Sequence, residues 1–286
     1  HPAIVDSTGI LSLSRMPDSL TVIGGGVIGS EYASIFAQMG VDTTVVESRS
    51  TIMRFLDEDC RECLIDQMKD SGVRFRFSTE TSEVVGLENG RARITFTDGE
   101  VQESDVVLWA MGRNGKTNGL GLETIGLQTD QRGLLKVDHH FKTEVAGVWA
   151  AGDVIGFPAL ASTSMEQSRL AVENMFDEVA EGRMAGLLPM GVYTIPAIAA
   201  VGDNEEELRR LGHELLASTA SYRRNARGRM LGDDRGKLKL VFDGKSGKLL
   251  HATVVGEDAT ELIHLGMIMI AEGWTARDIA AAPFNY

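Results

Sequence analysis

Apolar positions in the first hundred residues switch between a period of two and a helical period, which predicts strands alternating with helices. Leu20-Thr21-Val22-Ile23 is a short, nearly unbroken apolar run and reads as a buried strand. From Ser30 to Met39, the residues Tyr32, Ile35, Phe36 and Met39 fall at helical spacing, and Gly40 ends the helix. Asp42 to Val46 follows as a second strand closed by Glu47. Asp57 to Asp70 is amphipathic, with Leu64, Ile65 and Met68 inward; Gly72 stops it, and Val73 to Phe77 alternates like a strand. Asn89-Gly90 and Asp98-Gly99 are hairpin signals flanking the alternating run Arg91 to Phe96. A small antiparallel excursion is therefore expected before the buried strand Val106 to Trp109.

Beyond it, Leu134 to Val137 and Gly147 to Ala150 suggest two further short strands. The second runs into Ala151-Gly152-Asp153, a loop with Gly and Pro, and a helix from about Ser162 to Val179. From about Pro189 the pattern changes. Tyr193 to Pro196, Gly236 to Phe242 and Leu249 to Val255 read as antiparallel strands. A helix over Ala259 to Glu272 follows, with Leu262, Ile263, Gly266, Met267 and Ile270 on one face. The fold class is α/β, with a Rossmann-like first part and an α+β last part.

Gly24-Gly25-Gly26-Val27-Ile28-Gly29 fits G-x-G-x-x-G between the first strand and the first helix, with an acid closing the second strand. Gly24 permits a tight turn, Gly26 lets a pyrophosphate reach the backbone, and Gly29 lets the helix pack closely on the strand. A diphosphate there would meet the free N–H groups and positive end of the helix dipole. Glu47, 18 residues after Gly29, suits the hydroxyls of an adenosine ribose and favours NAD over NADP. Arg49, in Glu47-Ser48-Arg49, either swings over the adenine, pairs with a 2′-phosphate or lies solvated in its loop. The pocket is thus expected to prefer NAD without excluding NADP. Ala110-Met111-Gly112-Arg113 is a small-residue turn at a strand's carboxyl end, where α/β sheets bind ligands. Gly112 is either a loop glycine or a point of close nucleotide approach, with Arg113 as a polar contact. Asp153, an acid at a strand end before a helix, suits a second ligand bearing hydroxyls.

Composition changes this picture little. At 286 residues, 43% hydrophobic and 24% charged, the chain has the balance of a globular protein of about two domains. A net charge of −13 argues against a nucleic-acid partner. No apolar run approaches the roughly 20 residues of a membrane helix, and no leader is visible, so a cytoplasmic protein without a membrane partner is expected. The first residue is His1, and the chain is read as a fragment. Cys60 and Cys63 are the only cysteines. Asp57, Glu58, Asp59 and Glu62 crowd the same turn and disfavour a thiolate, so the pair reads as two ordinary helix cysteines. His264 reads as a packed core or interface residue rather than a ligand. Arg223, Arg224, Arg227 and Arg229 read as a solvated or interface loop rather than an anion site.

Together the pieces resemble the two-dinucleotide flavoprotein disulfide reductase family. The resemblance rests on the glycine turn at 24–29, Ala110 to Arg113, Thr143 with Ala151-Gly152-Asp153, and Tyr193-Thr194-Ile195-Pro196 with Val201-Gly202. It implies an NAD(P)-binding domain over 15–132, preceded at 1–14 by the end of an FAD domain. It further implies the C-terminal part of that FAD domain over 133–188 and a truncated interface domain over 189–286 that forms a homodimer or higher homo-oligomer. The family's N-terminal FAD half and C-terminal tail are expected to lie outside this chain. By resemblance, Asp153 with Gly152 holds the FAD ribitol, and Ala161, Ser162 and Thr163 face the flavin's pyrimidine edge. Glu31 matches a glutamate near the nicotinamide. The runs 29–36, 152–162, 191–196 and 283–286 resemble members that pass hydride from NADPH to NAD through FAD. Tyr286 stands where disulfide-reducing members carry a base histidine. A dihydrolipoamide dehydrogenase-like disulfide reductase and a dinucleotide-binding module without catalysis are the alternatives, and the fragment alone is expected to be inactive.

Overall fold

The computed structural model describes residues 1–176 and 187–284. They divide into two compact units, one made of residues 1–112 and 189–286, the other of residues 113–188.

The first unit begins with a parallel five-stranded sheet of β1 (Ile4–Val5), β2 (Ser19–Ile23), β3 (Asp42–Val46), β4 (Val73–Arg76) and β8 (Val106–Trp109), in the order β1-β8-β2-β3-β4. Val22 sits between Val45 and Leu108 in register, so the centre of the sheet is aliphatic on both sides of β2. One face is covered by α1 (Val27–Gln38) and α2 (Glu58–Asp70). The other meets the predicted antiparallel excursion, β5 (Thr81–Gly86), β6 (Ala92–Phe96) and β7 (Val101–Ser104), through Ile23, Val46, Val107, Ile94 and Phe96. Helix α2 buries Leu64, Ile65 and Met68 as expected, together with Cys60 and Gln67. Helix α1 differs from expectation. It starts at Val27 and buries Gly29, Ser30, Ala33, Ser34, Phe36 and Ala37, whereas Ile35 and Met39 are exposed. Close packing on the sheet selects small residues for the inner face, which apolar periodicity alone does not register. Trp109, expected to be buried, is exposed at the end of β8.

The C-terminal segment adds an antiparallel sheet in the order β11-β12-β13-β10-β9, made of β9 (Met190–Val192), β10 (Ile198–Val201), β11 (Leu215–Ser221), β12 (Lys237–Asp243) and β13 (Leu249–Val255). Tyr193 to Pro196 is not a strand. It is the turn joining β9 to β10, and Ile195-Pro196 is cis. Short helices α4 (Glu205–Arg210), α5 (Ala226–Leu231) and α7 (Ala276–Ala281) and the longer α6 (Ala259–Ala271) complete it. α6 buries Ala259, Ile263 and Gly266 on β10 and β13, but Leu262 is exposed with Leu265 and Ile268. Only a narrow stripe of this helix faces the sheet. His264 lies exposed among these residues, which sets aside its core reading. The four arginines of the basic cluster are also exposed. Val192, Ile198 and Val255 join the same core as Leu20, Leu64 and Met68, so the parallel sheet and the C-terminal sheet share one interior.

In the second unit, α3 (Ala161–Phe176) is the main element, and Leu127, Leu135 and Ala150 form the core. The expected helix end at Val179 lies outside the described residues. The runs 134–137 and 147–150 are isolated bridges, Thr129 to Leu135 and Lys142 to Trp149. Their backbone groups are used by turns instead: Leu135 N–H donates to Val154, and Ala150 N–H to Phe141.

Candidate functional site

The glycine turn is over-determined by sterics. Gly24 has φ +106°, and a Cβ there would lie 2.6 Å from the Ala110 carbonyl oxygen. Its N–H donates to Val46 at 2.9 Å, which knits β2 to β3 at the turn. A Cβ on Gly29 would overlap the carbonyl oxygen of Gly24. Gly26, the N-cap of α1, has open space around its Cβ position. The first bond of the helix is Ser30 N–H to Gly26 O at 2.9 Å. The preceding N–H groups of Val27, Ile28 and Gly29 therefore have no acceptor within the helix, which is the arrangement an anion needs. Sequence reading assigned no task to Gly25, yet its Cβ would lie 2.5 Å from Ile52 Cγ2 and 3.2 Å from Glu47 Oε2. Only packing across the fold makes a glycine necessary there.

Glu47 is buried at the end of β3, and its carboxylate joins two turns. Oε2 accepts from Gly25 N–H at 2.8 Å, while Oε1 accepts from Arg49 N–H at 2.9 Å and from the Ser48 hydroxyl at 3.3 Å. A carboxylate offers about four lone-pair positions, so this tie leaves about one of them free. The backbone beneath is pinned too, since Ser78 N–H donates to Arg49 O and Thr79 N–H to Glu47 O. Ser48 and Arg49 present their side chains to solvent. Gly112, with φ +101°, lies exposed beyond β8.

Glu31, one turn into α1, accepts from Tyr193 N–H at 2.9 Å, and Ser34 Oγ accepts from Ile195 N–H at 3.0 Å. Burial pushes the Glu31 carboxyl above its ordinary value, and the Tyr193 bond only partly offsets this. The β9–β10 turn is thus fastened to the helix that begins at the glycine turn. Nothing in local sequence signals a tie across 162 residues.

The residues expected on the flavin side, Gly152, Asp153, Ala161, Ser162 and Thr163, lie in the second unit. Gly152 has φ +82° and donates its N–H to Gln167 Oε1 at 2.8 Å. Asp153 is exposed in the first turn of a 3-10 segment, where the Ser164 hydroxyl donates to it at 3.5 Å and Arg113 Nη1 stands 3.8 Å away as an ion pair. Arg113, expected beside a nicotinamide dinucleotide, is therefore grouped with Asp153, the acid expected to face FAD. At the start of α3, Ala161 and Ser162 are exposed, while Thr163 is buried with a hydroxyl that has no hydrogen-bond partner. An open carboxylate, a helix N-terminus and an orphaned hydroxyl fit the polyhydroxyl and pyrimidine parts of FAD.

The cysteine reading holds. Cys60 is buried, and burial, then Asp59 and Asp57, push its thiol above the ordinary value. Cys63 Sγ faces Arg235 O at 3.6 Å and receives Gln67 Nε2 at 3.4 Å. Among the described residues, no group of three or more His, Cys, Asp or Glu is placed to hold a metal, and no helix is long and apolar enough to cross a membrane.

A cavity of about 860 Å³ is lined by Thr51, Arg54, Asp57, Asn204, Thr219 and Lys239 among others, and by no residue of the glycine turn. At its wall is an ion cluster that sequence reading missed, with Lys239 and Asp57 buried and Asp59 and Glu205 partly exposed. Lys239 Nζ lies 3.1 Å from Asp57 Oδ2, 2.7 Å from Asp59 Oδ1 and 2.8 Å from Glu205 Oε2. His251 Nε2 is 3.4 Å from Asp57 Oδ2, and its Nδ1 donates to Gly202 O at 3.1 Å. Burial opposes the Asp57 charge, but His251, the Glu205 N–H and Lys239 outweigh it and hold the carboxyl far below the usual range.

Comparison with known proteins agrees with this architecture. The family model described as pyridine nucleotide-disulphide oxidoreductase matches residues 1–168, and that family's dimerisation domain matches residues 188–286. The chain is 40% identical over 283 residues to the soluble pyridine nucleotide transhydrogenase of Mycobacterium tuberculosis (strain ATCC 25177 / H37Ra), covering 99% of this chain and 60% of that protein. The protein of the same name from Chromohalobacter salexigens is 37% identical over 289 residues, covering 100% and 62%. Among solved structures, the HOCl-induced flavoprotein disulfide reductase RclA from Escherichia coli matches with a TM-score of 0.92 at 27% identity, covering 100% of this chain and 65% of that one. LpdA from Mycobacterium tuberculosis matches with a TM-score of 0.90 at 28% identity, covering 99% and 61%. The chain thus spans about three fifths of the length of the curated relatives it matches. With its nucleotide-binding and dimerisation parts both matched in order, the chain belongs to the pyridine nucleotide-disulphide oxidoreductase family.

Proposed function

We propose that the whole protein transfers hydride between NADPH and NAD with FAD as carrier, and that this chain supplies its nicotinamide dinucleotide site and part of its flavin site. The observation that carries the reading is the open space at the Gly26 Cβ position, at the start of α1 whose first N–H groups have no acceptor within the helix, with the Glu47 carboxylate tied to the neighbouring Gly25 N–H. In this reading, the turn at Gly24, Gly26 and Gly29, with Val27 and Ile28, receives the pyrophosphate. Glu47 takes the ribose hydroxyls, and Ser48 and Arg49 tune the choice between NAD and NADP. Glu31 lies at the nicotinamide end, and Gly112 lets the dinucleotide pass close to the backbone. Asp153 accepts from ribitol hydroxyls beside Gly152, with Arg113 next to it. The start of α3 at Ala161, Ser162 and Thr163 offers donors to the flavin's pyrimidine edge. When bound, FAD supplies a two-electron carrier between the two nicotinamide rings.

The likeness to the solved disulfide reductase favours a second reading, a dihydrolipoamide dehydrogenase-like activity. Tyr286, the residue that bears on the choice, lies outside the described residues. In either reading the dimerisation part joins two copies. The deciding assay uses the full-length protein. The transhydrogenase reading expects thio-NAD reduction by NADPH with parallel double-reciprocal lines, and little turnover of lipoamide or glutathione disulfide. Disulfide turnover equal to the thio-NAD rate would promote the second reading. In the same protein, Asp153→Ala should weaken FAD retention by about 1.5–3 kcal/mol, as loss of a charge-assisted hydrogen bond does. Unchanged retention would remove Asp153 from the flavin site.

A further inference from the structure

The ion cluster around Lys239 lies at one end of the loop 48–57, whose other end carries the residues read above as adenosine-facing, and between them Ile52, Met53 and Leu56 are buried. At that other end Glu47 ties the N–H groups of Gly25 and Arg49, and the Ser48 and Arg49 side chains are exposed. Midway, Ile52 is 1% exposed and sits against Gly25 of the glycine turn. Met53, also buried, has φ +39°, a left-handed backbone for a residue other than glycine. Such a conformation persists only where its surroundings hold it. Leu56 N–H donates to Met53 O and Arg61 Nη1 to Leu56 O, and the C-terminal segment adds two contacts: Asn204 Nδ2 donates to Phe55 O at 3.1 Å, and Glu205 N–H donates to Asp57 Oδ1 at 2.8 Å. Lys239 closes the arrangement, with its ammonium among Asp57, Asp59 and Glu205 while its side chain is 6% exposed. Asp57 is 3% exposed. Losing the ammonium would leave a buried carboxylate with less compensation, which the loop would relieve by moving.

We propose that Lys239 and Asn204 are positioning residues for the adenosine half of the dinucleotide, acting through the loop 48–57. They touch no part of the ligand. They set where Ile52 presses on Gly25, and so where the Gly25–Glu47–Arg49 tie stands. The proposal rests on the dinucleotide reading given above.

Two half-ligands test it on this chain. ADP-ribose carries the adenosine half and the pyrophosphate, while reduced nicotinamide mononucleotide carries only the other end. By calorimetry, Lys239→Met should weaken ADP-ribose binding by about 3- to 30-fold and leave the mononucleotide within about twofold, the range for residues that couple through a packed network. Lys239→Arg should restore most of the ADP-ribose affinity. Asn204→Asp keeps the N-cap acceptor for Glu207 N–H but removes the donor to Phe55, and it carries the same expectation should Lys239→Met not fold. Equal weakening of both ligands, or none for ADP-ribose, would overturn the proposal. If the unaltered chain binds neither ligand, the dinucleotide reading fails and the proposal falls with it. If it binds both and the variants change neither, the proposal alone falls.

Discussion

Gly26 and Gly29 belong to one motif, yet the structure asks opposite things of them, so Gly26→Ala and Gly29→Ala form a matched test. At Gly26 the backbone is φ −72° and ψ −174°, ordinary for any residue, and no atom lies within 4 Å of the added Cβ. The fold should absorb an alanine there for no more than about 1 kcal/mol, the scale of an N-cap change. The same methyl occupies the space above the free N–H groups. Displacing a diphosphate from even one or two charge-assisted hydrogen bonds costs about 3 kcal/mol, roughly a hundredfold in Kd. At Gly29 the Cβ would overlap the Gly24 carbonyl oxygen and press on Val22 Cγ1 at 3.1 Å. Helix and turn must part, and overpacking of backbone on backbone costs about 3 kcal/mol or more, near 10 °C in Tm for a domain of this size. Thermal unfolding followed by NADH fluorescence titration reads both quantities. Gly26→Ala should keep its Tm and lose NADH, whereas Gly29→Ala should lose Tm first. NADH affinity retained by a folded Gly26→Ala, or equal Tm losses in the two variants, would refute the assignment of separate tasks.

Three further outcomes follow from the same geometry. In the full-length protein, Glu47→Ala should shift preference toward NADP and Arg49→Ala toward NAD, read as the ratio of kcat/KM values; because Glu47 also holds Gly25 and Arg49, Glu47→Ala should lose about 1–3 kcal/mol of stability besides. The carboxyls of Asp57, Asp59 and Glu205 are held low when folded, so their stabilisation is present above the unfolded carboxyl range near pH 4 and fades as pH falls through the folded values; denaturant melts of Asp57→Asn against the parent should differ at neutral pH and converge in acid. Iodoacetamide should label Cys63 in the native chain and spare Cys60 until the chain unfolds, a contrast that peptide mass mapping would detect.

What could be read from the chain alone was whatever residue type records locally. Strands β2 and β13 and helix α2 carry their period and their stop signals within their own span, and Gly24, Gly26 and Gly29 record backbone constraints by being glycine. Ile198 to Val201 and Leu215 to Ser221 escaped because short runs of small residues have no marked alternation. Gly25 against Ile52 depends on which loop folds back onto the turn. Lys239 shows the deeper difficulty: a lysine alternating with leucines in Lys237-Leu238-Lys239-Leu240 reads as outward-facing, yet it points inward because three carboxylates from remote segments meet it. Such pairings are properties of the closed fold, and no spacing records them.

The first unit is discontinuous in the chain, since residues 113–188 stand between its two pieces, while Val192, Ile198 and Val255 share a core with Leu20, Leu64 and Met68. During synthesis the early piece must therefore wait, with part of its apolar face uncovered, until more than seventy residues of the second unit and then β9, β10 and β13 have emerged. Once closed, the bond between the pieces is the interior itself. A cut within residues 113–188 would separate the chain without separating the unit, so the two parts should travel together until the core is melted.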